Sequence, residues 1–360
     1  VNLTGSGTYP LIGRCAYGWA GEAVVLGVYL LISGGALCAY AVGLADLIDQ
    51  LIQAVTSGSL PRPLAGLLAV AVCAPGAFQQ SLKNVAKFSA LNLLASVLFC
   101  LLLVSFVFMP LSVAPPTWSW SRAENIPLAW PIFGYVFAVQ PSGVMVLTKL
   151  EAVHDLRRTA GHADEEEAES LQELRHRISG LAYIVAVTVG ALVGMSSYMR
   201  FGDLTRGNIL ESCHEFRADL WPGAMTALRL SSATMLLSSA AFVMVPFRFA
   251  VVEILKLSGA GDAFLTADEA PAELRKRITW VMLGLMCLVA GTCDDISTVY
   301  RLIGSLATQM FALILPGAFA LKFAMSSGRR KAVLGPLMVT AFGVISLLVC
   351  VAHLLDGTAN

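Results

Sequence analysis

The sequence predicts an all-α polytopic membrane protein, and three of its features do so. Apolar runs longer than about 18 residues recur along the whole chain, each long enough to cross a bilayer as a helix. Of the 360 residues, 57% are hydrophobic and 13% charged, with a mean hydropathy of +0.73. A soluble domain carries about 25% charged residues. Basic and acidic residues balance at 24 each, so the chain offers no bulk attraction to a polyanion. A soluble globule, a disordered chain and a nucleic-acid binder are excluded. The spans have to be helices, because an open strand edge leaves backbone groups unpaired in lipid.

Nine candidate spans follow in chain order: Ala23–Ile48, Leu64–Phe78, Phe88–Met109, Leu128–Leu147, Ile178–Met199, Ala224–Val251, Ile278–Cys293, Ile303–Phe323 and Val333–Leu354. Gly34 and Gly35 in the first read as a close-packing face. The second is short, and either a crossing or a re-entrant segment fits its length. The seventh is also short, parted from the eighth by Thr292-Cys293-Asp294-Asp295.

Lysine and arginine accumulate on the cytosolic side of a membrane. Threading nine spans puts 17 of the 24 on one face, among them Arg14, Lys149, Arg248, Arg275 and Lys322. The other 7 include Arg62, Arg200 and Arg229. The N-terminus is then cytosolic and the C-terminus outside. Without the second span the basic loops fall on opposite faces, so the charges favour a crossing.

The longest cytosolic loop, 151–177, carries the acidic run Asp164-Glu165-Glu166-Glu167-Ala168-Glu169. It reads as a solvated, partly helical loop or as a regulatory, partner-binding element. The loop 200–222 lies outside. Asn2-Leu3-Thr4 is a glycosylation sequon placed in the cytosol, where it is silent. Most of the eight cysteines sit in apolar runs and behave as small hydrophobes. Cys213 alone lies in a clearly polar loop, so a disulfide there would need a partner such as Cys293. The chain opens on Val1 without a signal-peptide pattern, as a processed product or a fragment would.

Polar groups inside a membrane are costly and are functional candidates by default. Gln140-Pro141-Ser142-Gly143 interrupts the fourth span: Pro141 removes a backbone donor and Gly143 adds freedom. This is either a kink satisfied by its neighbours or a broken helix whose freed amides and carbonyls face a ligand. The sixth span is rich in hydroxyls, Ser231, Ser232, Thr234, Ser238 and Ser239, between Arg229 and Arg248. Such hydroxyls pack helices and bond back to their own backbone, or, at Ser238 and Ser239, offer hard oxygens to a sodium ion. No carboxylate sits at mid-span, and no HExxH, P-loop or GxSxG is present. An enzyme, a metal site and an organic cofactor find no support.

Ser197-Tyr198-Met199-Arg200-Phe201-Gly202-Asp203 followed by Asn208-Ile209-Leu210 resembles the GYxxFGDxxxxNIL signature of the amino acid/auxin permease family. Phe137–Leu150 is similar to that family's broken sixth helix, and Leu228–Arg248 to its eighth. Gly304-Ser305-Leu306 through Leu321-Lys322 resembles the tenth, and Ala39-Tyr40 with Asp46 the third. The nearest branch by this resemblance is the sodium-coupled neutral amino acid transporters.

The resemblance implies an inverted-repeat (5+5) fold of about eleven helices, of which these nine spans are the third to the eleventh. The first two would be largely missing, and a chain without them is expected not to transport unaided. It further implies that Gln140, Pro141, Ser142 and Gly143 contact the substrate, with Gln140 where the motif has histidine and Met145 where it has proline. Ser238 and Ser239 fall near the hydroxyl ligand of sodium-coupled members.

The expected function is secondary active symport of an amino acid by alternating access, driven by Na+ or H+. The expected partners are the small-molecule substrate and the lipid of a plasma or vacuolar/lysosomal membrane. The alternative is a non-transporting amino acid sensor of the same fold, signalling through the 151–177 loop.

Overall fold

The computed structural model describes residues 8–56, 58–79, 82–109, 117, 165–206, 208–217, 220–221, 223–259, 270–293, 296–328 and 333–357. All regular structure among the described residues is helical. Six of these helices are long and apolar enough to cross a membrane. In order the helices are α1 (Tyr9–Thr56), α2 (Arg62–Ala77), α3 (Leu82–Val107), α4 (Glu165–Phe201), α5 (Ile209–Glu215) and α6 (Ala224–Leu257). Then come α7 (Ala272–Thr292), α8 (Ile296–Ile303), two π-helical segments (Gly304–Thr308 and Met310–Ile314), α9 (Leu315–Ser326) and α10 (Leu334–Gly357). Eight of the nine expected spans coincide with helix; Leu128–Leu147 lies outside the described residues.

Two helices run further than the hydropathy pattern indicates. α4 has 37 residues, about 55 Å of helix. It exceeds a hydrocarbon core of about 30 Å and turns the Glu165–Arg177 part of the expected loop into helix. α1 starts at Tyr9, well before Ala23, and is broken at Tyr17–Gly18. Gly18 takes φ 65, a left-handed conformation open to glycine. The break folds the first turns back, so that a Cβ on Gly13 would lie 2.7 Å from the carbonyl oxygen of Gly21. Arg14 thereby comes within 3.6 Å of Glu22.

The chain forms two compact units, one of residues 1–29, 130–188 and 304–360, the other of 30–129 and 189–303. In the second unit, Leu37, Ala41, Ala69, Met244, Met282 and Met286 form one apolar core joining α1, α2, α6 and α7. α2 and α7 touch backbone to backbone: a Cβ on Gly66 would meet the Gly291 nitrogen at 2.8 Å. The ends of α2 are held by different arginines. Arg62 donates from Nη1 to Asp46, and to the Cys293 carbonyl from Nε at 3.1 Å and Nη2 at 2.6 Å. Arg248 donates to the carbonyls of Ala77 (2.9 Å) and Gln79 (2.5 Å) and to Thr279 Oγ1 (3.3 Å). α2 thus runs antiparallel to α7, from its C-terminal end to its N-terminal part.

In the first unit the π segments explain how Tyr9 is anchored. The N–H of Leu315 reaches the Met310 carbonyl, one residue beyond α register. The next residue, Pro316, has no N–H to give. The Phe311 carbonyl accepts from the Tyr9 hydroxyl at 3.5 Å, and the Ala318 carbonyl from the Tyr17 hydroxyl at 3.1 Å. The Tyr9 ring packs on Phe311 and Phe319, with centroids 4.8 and 5.7 Å away. α10 closes on this segment through Gly343, where a Cβ would lie 2.8 Å from the Leu313 Cβ.

Candidate functional site

Gln140, Pro141, Ser142 and Gly143, expected to contact substrate, lie outside the described residues. Ser238 and Ser239 are placed on α6, in the second unit. Ser238 is buried, and its hydroxyl donates to the Thr234 carbonyl at 2.5 Å and the Met235 carbonyl at 3.3 Å. That bond uses its proton and leaves oxygen lone pairs. Ser239 Oγ accepts from Asn92 Nδ2 of α3 at 3.2 Å. The Asn92 Oδ1 is buried and has no hydrogen-bond partner among the described residues. The seam between α3 and α6 therefore places two neutral oxygens, Ser239 Oγ and Asn92 Oδ1, side by side, of the hard donor type that sodium prefers. Among the described residues no cluster of His, Cys, Asp or Glu could hold a metal ion.

The 197–210 signature builds a scaffold. Ser197 bonds back to the Val193 carbonyl at 2.7 Å, and Arg200, buried, donates to the Met109 carbonyl beyond the end of α3. Phe201 is fully buried and stacks on Phe216 with centroids 5.5 Å apart. Gly202 turns the chain with φ 51. Asp203 Oδ2 then accepts from Thr117 Oγ1 at 2.5 Å, while its N–H donates to the Thr117 carbonyl at 3.1 Å. Asn208 caps α5, accepting from the Leu210 N–H at 3.1 Å. Arg200, Gly202, Asp203 and Asn208 thus close helix ends or turn the loop between them.

α5 buries Cys213, which corrects the expectation of a loop thiol open to a disulfide partner, and no disulfide joins it to Cys293. Burial pushes the Cys213 thiol up to about 12, with Arg200 pulling the other way. Its neighbour His214 is held below the usual histidine value by burial, then by Arg229 and Arg217. Arg229, buried, donates from Nε to Gln50 Oε1 at 3.3 Å.

Asn92, Thr308 and Gln309 went unmarked by the sequence, because one amide or hydroxyl hardly alters the hydropathy of a twenty-residue window. A search of spans for lone amides would have found two of them. No curated protein matches the chain. The profile of the family described as transmembrane amino acid transporter protein matches residues 166–355, more than half of the chain. An integral membrane protein that carries this profile from α4 to α10 belongs to the family of transmembrane amino acid transporters.

Proposed function

We propose that this chain carries out ion-coupled secondary transport of an amino acid by alternating access, as a symporter of the sodium-coupled neutral type. Family membership carries the reading. The substrate binds at Gln140–Gly143, where the sequence sets Pro141, which has no backbone donor, and Gly143 in an apolar run. The coupling ion is Na+ or H+. For sodium, Ser238 and Ser239 on α6 supply hydroxyl oxygens, and the Asn92 Oδ1 beside Ser239 supports the choice of this seam. The protein works in a plasma or vacuolar/lysosomal membrane.

The test is uptake of radiolabelled neutral amino acids into proteoliposomes by the full-length protein, with the two opening helices that the resemblance implies and with sodium and proton gradients imposed separately. Accumulation above equilibrium under one gradient is expected. Substituting Ser142→Ala should raise the substrate concentration for half-maximal uptake. Substituting Ser239→Ala should raise that for sodium. Equilibration without accumulation under every gradient would sink the proposal.

A further inference from the structure

The first unit contains a buried polar cluster outside everything assigned above. Thr308 and Gln309 sit at the junction of the two π segments and are 0% and 1% exposed. Ser346 of α10 donates to Gln309 Oε1 at 3.1 Å. The Gln309 Nε2 and the Thr308 Oγ1 have no hydrogen-bond partner among the described residues. Turning the amide over would exchange the atom that meets Ser346 and leave the other in the same position.

Thr308 departs from a pattern that the other spans keep. Ser96, Ser197, Ser231, Thr234 and Thr340 each donate to the carbonyl four residues earlier. That bond is how a hydroxyl in a span satisfies itself. In Gly304–Thr308 the backbone is in π register, and the Thr308 hydroxyl makes no such bond. An amide donor and a hydroxyl are therefore held in the interior with nothing among the described residues to take them, a costly arrangement unless a ligand does so.

The chemistry narrows the ligand. An amide N–H repels a cation. An anion would need a compensating charge, and neither 304–314 nor 334–352 contains a charged residue. A neutral molecule that both accepts and donates fits both groups. We infer that Thr308 and Gln309 hold ordered water inside the first unit, a hydration site built into the π-helical stretch. The two side chains leave the helix about a quarter turn apart, so they take separate waters or the two ends of a short chain of them.

Two measurements on the full chain test this, X-ray diffraction from crystals grown in a lipidic mesophase and thermal unfolding in lipid nanodiscs. A map fine enough to show ordered solvent, collected in chloride and again in bromide, should show water-sized density against Gln309 Nε2. No anomalous signal should appear there in bromide. A bromide peak, or a protein carbonyl occupying the Nε2 donors, overturns the inference. Thermal unfolding of Thr308→Val gives the second reading, since valine keeps the shape and removes the hydroxyl. A hydroxyl bonded to water should make the variant melt lower, by about 3 °C. An unchanged or higher midpoint, the result for a bare buried hydroxyl, overturns it.

Discussion

The two ends of α2 are fastened by the same side chain in two different chemistries. At one end Arg62 faces a carboxylate, Asp46, and the pair keeps some contact with solvent, with side chains 20% and 15% exposed. At the other end Arg248 is buried, and its partners among the described residues are two carbonyls and a hydroxyl. The carbonyls close α2, where the aligned peptide dipoles leave partial negative charge. A carboxylate at the rim can stay ionised at modest cost, whereas a second buried charge would add its own desolvation penalty. Helix ends can thus stand in for acids where burial makes acids expensive.

The comparison breaks if the two arginines respond alike. Arg248→Met should have the largest effect, about 3 kcal/mol of lost stability by thermal or denaturant unfolding in detergent, because two carbonyls lose a charged donor. Arg248→Lys should recover only part of it, since an ammonium cannot fork to Ala77 and Gln79 together. Gly66→Ala, between the two clamps, should cost about 2 kcal/mol by pressing α2 off the Gly291 backbone.

Arg62→Gln should cost about 1–2 kcal/mol, and adding Asp46→Asn should restore part of it, a coupling of about 1 kcal/mol. No single acid offers such rescue to Arg248, and higher salt should weaken the Arg62 end alone. The smallest effect concerns His214, beside Arg217 and Arg229. Its folded form binds a proton less readily than the unfolded chain does. Stability should therefore be fully present at neutral pH and decline as pH falls through the ordinary histidine range near 6.5. His214→Gln should flatten that slope in pH-dependent melting curves.

Much of this fold was legible because lipid enforces it. Eight of the nine expected spans are helices among the described residues. The 197–210 signature was legible as a family mark, but its work was not. Nothing in the string reveals that Asp203 seizes Thr117, because the two lie 86 positions apart and only the fold brings them together. The break at Tyr17–Gly18 was hidden in a flank whose polarity resembles a loop. Single amides escaped for a different reason: hydropathy averages, while the energetic cost of one unpaired group does not.

Pro316 has an effect that reaches the opposite end of the chain. Because it lacks an N–H, the Phe311 carbonyl is left for Tyr9 to claim. Substituting Pro316→Ala would create a local competitor for that oxygen, one that need not travel to find it. The damage would then surface some three hundred residues away, as faster amide exchange and easier proteolysis in the turns after Tyr9. One absent hydrogen atom late in the sequence helps keep its opening helix in place.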